Sequence, residues 1–143
     1  LSTFDKMIAE RQSLKGPRYV VIPIKMDTLE NVFDKYADKF KEIDFVNIDV
    51  EGFEDIVVRS INFNKIKPAV IIIEATEPGT EVKSHLKWEN YLIDNGYLFA
   101  CFDGLNRYYV YKKNTKLLQR FVKISLCVNL DKIDKNINLD GFM

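Results

Sequence analysis

The stretch from Asp44 to Asp55, Asp-Phe-Val-Asn-Ile-Asp-Val-Glu-Gly-Phe-Glu-Asp, places the strongest constraint on the fold. Phe45, Val46, Ile48 and Val50 form a nearly continuous apolar run, as expected of a strand covered on both faces. Asn47 and Asp49 interrupt it, and polar groups inside such a strand need a partner or a purpose. Asp49 and Glu51 sit two apart, so they share a side while the chain stays extended. Gly52 lets the backbone turn, and Glu54 and Asp55 then fall where a helix start favours negative charge. Ligands of open parallel sheets bind beyond the carboxyl ends of the strands, which is where Asp49 and Glu51 are expected.

Around this stretch the chain alternates. A helix is expected over residues 2–14, with Phe4, Met7, Ile8 and Leu14 near one face. A strand follows over 19–24, with Pro23 arguing for an edge or a bulge. Leu29, Val32, Phe33, Tyr36, Ala37 and Phe40 recur at helical spacing, and Asp27 with Glu30 resembles a capping box. After the acidic turn come a short helix to about Ile61, a loop to Pro68 and a second buried strand, Ala69–Ile73. That strand also runs into a carboxylate, Glu74. Ser84 can cap a helix reaching Asn95, with Gly96 as its stop. Tyr97–Phe102 and Arg107–Lys112 read as a hairpin around Asp103-Gly104-Leu105-Asn106. A helical piece through Leu117, Leu118 and Phe121 is expected in the tail, whose remainder is peripheral. The pattern predicts one α/β domain over residues 1–143: parallel strands with crossover helices, closed by an antiparallel hairpin.

Composition narrows the function. The 143 residues suffice for one domain with its own core. Twenty-one basic residues balance 21 acidic ones, so no nucleic-acid partner is expected. No apolar run approaches the roughly 20 residues of a membrane span, and the start lacks the layout of a signal peptide. Cys101 and Cys127 fit neither a metal cluster nor a disulfide framework, so both are expected to be reduced, in a cytoplasmic setting. The chain begins at Leu1 rather than Met, as expected of a trimmed or excised segment.

The carboxylates Asp49, Glu51 and Glu74 converge at one sheet edge, where they could bind a cation, position a hydroxyl or act as a general base. His85 is the only histidine. It sits beside Ser84 on the same expected side and would suit a general base near neutral pH. One histidine cannot build a His-rich metal site. The aromatics of the hairpin, Tyr97 to Tyr111, read as core packing, and Asp103 and Asn106 as turn formers. The six glycines are dispersed, with no Gly-x-Gly turn and no phosphate-cradling loop.

Several segments resemble one family. Ile43-Asp44-Phe45-Val46-Asn47-Ile48-Asp49-Val50-Glu51-Gly52-Phe53-Glu54 is similar to the central motif of FkbM-type methyltransferases, with Asn47 where that family often has Lys. Lys67-Pro68 and the strand ending in Glu74 resemble the family's next strand. A subgroup associated with surface-polysaccharide and glycan biosynthesis is closer still. Its pattern resembles Glu74-Ala75-Thr76-Glu77-Pro78-Gly79-Thr80, Ser84-His85 with Trp88-Glu89, Phe102 to Val110, and Val128-Asn129-Leu130-Asp131.

The resemblance implies the C-terminal half of a Rossmann-like class I fold and a transfer of methyl from S-adenosylmethionine to a sugar hydroxyl. With that activity Asp49 is expected at the cofactor, and Asp49, Glu51 and His85 at the reaction centre. Glu74, Thr76 and Asn106 become contacts to a glycan or nucleotide-sugar substrate. The family's glycine-rich cofactor loop belongs to a half preceding Leu1, which is then a required partner; a homodimer is the other partner this half-sheet suggests. The alternative is a non-catalytic half-domain, serving as a scaffold or sugar-binding module in a larger glycan enzyme.

Overall fold

A computed structural model describes residues 3, 6–14, 16, 18–39 and 42–127. Four strands form one sheet in the order β1-β2-β4-β3: β1 (Phe45–Ile48), β2 (Val70–Glu74), β3 (Tyr97–Phe102) and β4 (Asn106–Tyr111). β1 and β2 run parallel, joined through the short helix α3 (Glu54–Arg59). β4 pairs antiparallel with β2 on one side and β3 on the other. The hairpin therefore closes the parallel pair as the sequence predicts, with its second strand lying against β2. A bulge between Phe99 and Cys101 shifts the outer register.

Alternation along the strands sorts the side chains onto two faces. Ile71 and Ile73 of β2 join Tyr109 and Tyr111 of β4 in the larger core. Ile48 of β1, Val58 of α3, Ile61, Phe63, Ala75, Trp88, Leu92 and Tyr97 complete it, with Leu29 from α2 (Leu29–Tyr36) packed against it. Val70 and Val110 face the other way with Ala100, where Leu117, Leu118 and Phe121 of α5 (Thr115–Cys127) cover them. The expected helical piece of the tail thus closes the second face, while residues 128–143, and with them the Val128–Asp131 motif, lie outside the described part. Tyr97 donates its hydroxyl to the carbonyl of Pro68 at 2.9 Å, which satisfies the polar end of a fully buried ring.

Several local expectations are corrected. Residues 19–24 form no strand: Val20 is 81% and Val21 80% exposed. A strand exists only through its ladder, and this run meets no partner among the described residues. β1 is not covered on both faces. It is an edge strand among the described residues, with Phe45 63% exposed and only Ile48 buried. The first helix, α1, is shorter than predicted, Lys6–Ser13, and leaves Met7 and Leu14 exposed. α2 ends in a 3-10 turn, Ala37–Lys39, and buries none of its residues fully. Its cap is Thr28, whose Oγ1 accepts from the amide of Asn31. Glu30 does not close a capping box. It accepts instead from Asn62 and pairs with Lys65. The helix expected from Ser84 splits into a 3-10 turn, His85–Lys87, and α4 (Glu89–Asp94), and Ser84 makes no side-chain cap.

Candidate active site

The acidic turn after β1 is built around one buried carboxylate. Glu54 is 3% exposed, and its Oε1 accepts from the amides of both Val50 and Gly52 at 3.1 Å. A residue read as a helix-start charge is thus the clamp of the turn. Glu51 lies between the two clamped amides, with φ of 52°, the left-handed region that a side-chain-bearing residue seldom occupies. The extended geometry that would align Asp49 with Glu51 therefore ends at Val50. Gly52 follows with φ of 107°. α1 lies across the turn: a Cβ on Gly52 would stand 2.8 Å from Ile8 Cδ1. Thr3 donates its hydroxyl to the Glu51 carbonyl, and Arg11 Nη2 donates to that of Pro78.

Asp49 and Glu74 meet beyond the ends of β1 and β2. The register Asn47↔Ile72 and Ile48↔Ile73 brings these positions level on neighbouring strands. Asp49 is exposed, whereas Glu74 is 7% exposed. Their carboxyls stand at neighbouring strand ends, and the Asp49 charge opposes ionisation of Glu74. Burial, followed by the charges of Asp49, Glu51 and Glu54, pushes Glu74 up to about 7. Burial and the charges of Asp49 and Glu54 raise Glu51 as well. Glu74 Oε2 is buried without a hydrogen-bond partner among the described residues.

The remaining predicted residues divide between the two sides of the sheet. Asn106 lies opposite Glu74 in the β2–β4 ladder. Its amide donates to Asp103 Oδ1, so the turn role expected of both residues is present. Burial opposes ionisation of Asp103, but the amides of Asn106 and Leu105 and the Tyr108 hydroxyl hold it below the usual range. Thr76 is buried and bridges to Lys83, which folds the Glu77–Val82 loop back beside the end of β2.

His85 is buried with a second carboxylate. Its Nε2 lies 3.8 Å from Glu89 Oε2, and its ring meets Trp88 edge-on. Glu89 Oε1 accepts from Arg107 Nη2 at 2.6 Å and from the Tyr109 hydroxyl at 2.8 Å. Arg107 stacks 4.0 Å above the Phe99 ring. Because Arg107 pairs with Ile73, alternation sets this network on the large-core face, and Glu74 on the other. Sequence reasoning missed Glu89, Arg107 and Tyr109. A buried Arg–Tyr–Glu network joins positions 18 and 20 residues apart, and neither period nor spacing marks it.

A cleft at the opposite end of the sheet, lined by Glu42, Asp44, Lys65, Lys67 and Lys113, lies at the amino ends of β1 and β2, away from these carboxyls. Among the described residues no group of three or more metal-ligating side chains is placed to hold an ion, and no helix is long and apolar enough to cross a membrane. Searches of curated proteins and of solved structures found no match. The family model described as the methyltransferase FkbM domain matches residues 2–99, which include the acidic turn, β2 and His85. The chain, with its edge strand opening into an acidic turn and a second carboxyl beside it, belongs to the FkbM methyltransferase domain family.

Proposed function

We propose that this chain forms the acceptor side of an S-adenosylmethionine-dependent O-methyltransferase acting on a sugar hydroxyl in glycan or polysaccharide biosynthesis. The observation that carries the reading is the meeting of Asp49, Glu51 and Glu74 beyond the carboxyl ends of two adjacent parallel strands, in a chain of methyltransferase family. That is where open α/β sheets bind ligands.

The residues present fit the methyl donor in charge. S-adenosylmethionine carries a positive sulfonium and a positive amino group, and when bound it supplies an electrophilic methyl. Asp49, exposed at the strand end, is suited to hold that cationic part, and Glu51 reinforces the negative field. Glu74 has a buried oxygen that no donor among the described residues satisfies and that suits a sugar hydroxyl, with Thr76 and Asn106 close to it along the chain and the ladder. Oxygen methylation needs an in-line approach and a route for the hydroxyl proton, so a fixed carboxyl beside the acceptor contributes to both. His85, held by Glu89, is the other base within the same family match.

The grip on the nucleoside is assigned to an N-terminal half of the same catalytic domain, in a Rossmann-like class I arrangement. The edge of β1 that is unpaired among the described residues gives that half a strand to pair with. The free thiol of Cys101 suits a reducing, cytoplasmic setting. The test is methyl transfer from methyl-labelled S-adenosylmethionine by the full-length protein, with Asp49→Ala and Glu51→Ala beside it. Unchanged rates in both variants would remove the site assignment.

A further inference from the structure

We infer that Glu74, working with Asp49, is the group that takes the proton from the acceptor hydroxyl. The inference rests on the methyltransferase reading and deepens it by naming the base.

Glu74 is 7% exposed, stands at the end of β2 level with Asp49 on the neighbouring strand, and leaves Oε2 without a partner among the described residues. A buried oxygen with no donor is costly, so a hydroxyl arriving there gains a contact that the protein does not supply. Two carboxyls at neighbouring strand ends can share one proton. Such a pair binds its last proton more tightly than an isolated carboxylate, because two like charges in contact oppose full ionisation. The charges bearing on Glu74 are Asp49, Glu51 and Glu54, all negative, while the residue facing it across the ladder, Asn106, is neutral. Each of these favours proton uptake, and together with burial they bring Glu74 to about 7, matched to a base operating near neutral pH. Glu89, the carboxylate nearest His85, already accepts from Arg107 and Tyr109 on the other face of the sheet.

The balance is simple. The acceptor O–H bond breaks and its proton goes to Glu74 Oε2. The oxygen keeps the electron pair and uses it to bond the methyl carbon, whose bond to the sulfonium sulfur breaks with its pair left on sulfur. The reactive form has Glu74 ionised, so turnover should rise with pH through the neutral range.

Two measurements on the full-length protein test this. In a carbon-13 NMR titration of side-chain carboxyls, one Glu signal should titrate near neutral pH, disappear in Glu74→Gln, and move to lower pH in Asp49→Asn. A Glu74 titration in the ordinary carboxylate range, or one indifferent to Asp49→Asn, would overturn the pairing. In the second, methyl-labelled S-adenosylmethionine is offered with the methyl α-pyranosides of glucose, galactose and mannose. Glu74→Gln should lose about 100-fold or more in kcat together with the rising limb of the pH profile, while His85→Gln keeps that limb. A limb that survives in Glu74→Gln, or that vanishes only in His85→Gln, overturns the assignment of the base. Failure of the wild type on all three sugars instead overturns the acceptor class, and the carboxyl titration still decides the pairing.

Discussion

Replacing Glu54 should unfasten the acidic turn. Its Oε1 accepts from the amides of Val50 and Gly52, both at 3.1 Å, from a side chain that is 3% exposed. A hydrogen bond to a charged group contributes roughly 1.5–3 kcal/mol, and the 3.1 Å lengths favour the lower end. Two such bonds suggest about 3 kcal/mol lost in Glu54→Ala, a large share of the 5–15 kcal/mol typical of a domain. Glu54→Gln keeps an oxygen acceptor of the same shape without the charge. Charge assistance is about half of each bond, so its loss should be roughly 1–1.5 kcal/mol. Urea denaturation followed by circular dichroism reads both variants, and the slope with denaturant should stay that of the wild type. Release of the turn also frees Glu51 from its φ of 52°, so Glu54→Ala should lose methyl transfer more than Glu54→Gln does. A loss below 1 kcal/mol in Glu54→Ala, or equal losses in the two variants, would refute the clamp.

Three further outcomes follow from the same geometry. Gly52→Ala forces a side chain into φ of 107° and pushes on Ile8 Cδ1, and should cost about 1–3 kcal/mol in the same denaturation assay. Glu89→Ala removes the acceptor of Arg107 and Tyr109 and leaves a buried guanidinium without its carboxylate; a loss of about 3–5 kcal/mol is expected, with much less in the double variant Glu89→Met/Arg107→Met. Glu74 holds its proton to about 7 in the folded chain but only to the usual 4.5 when unfolded, so its contribution to stability is present below pH 4.5 and disappears as pH rises through 7. Denaturation at pH 5 and pH 8 should therefore show Glu74→Gln gaining up to about 3 kcal/mol on the wild type at the higher pH, and an equal or opposite change would contradict the burial of that carboxyl.

The sheet was legible where residue period and burial agree. β2 before Glu74 and β4 after Arg107 are continuous apolar or aromatic runs with both faces covered, so they announce themselves. The hairpin was legible from Asp103-Gly104-Leu105-Asn106, because an Asp that accepts two backbone amides is a local device. The run at 19–24 has the residues of a strand, yet it is exposed, because strand formation depends on a neighbour that local sequence does not specify. β1 fails in the same way: its apolar run predicts cover on both faces, while Phe45 stands exposed at an edge.

The candidate site was legible as a set of acids but not as an arrangement. Asp49 and Glu74 are both visible as carboxylates at strand ends, and parallel pairing brings them together. Their difference in exposure depends on tertiary packing, and so does the raised proton affinity of Glu74. Glu54 reads as an ordinary helix-start charge, since nothing in the order of residues shows that the chain folds back to hand it two amides. His85 was visible as the lone histidine, but its carboxylate partner becomes meaningful only once β4 brings Arg107 and Tyr109 alongside.

The most direct test of the central claim is the rate of label transfer from methyl-labelled S-adenosylmethionine to methyl glycosides by the full-length protein and by its Asp49→Asn variant. Asp49→Asn keeps the size of the side chain and removes the charge offered to the donor and to Glu74. Measurable transfer by the wild type and a loss of about 100-fold or more in the variant are expected, with folded stability retained. Transfer at the wild-type rate by Asp49→Asn would contradict the claim that the acidic ends of β1 and β2 form the reaction centre.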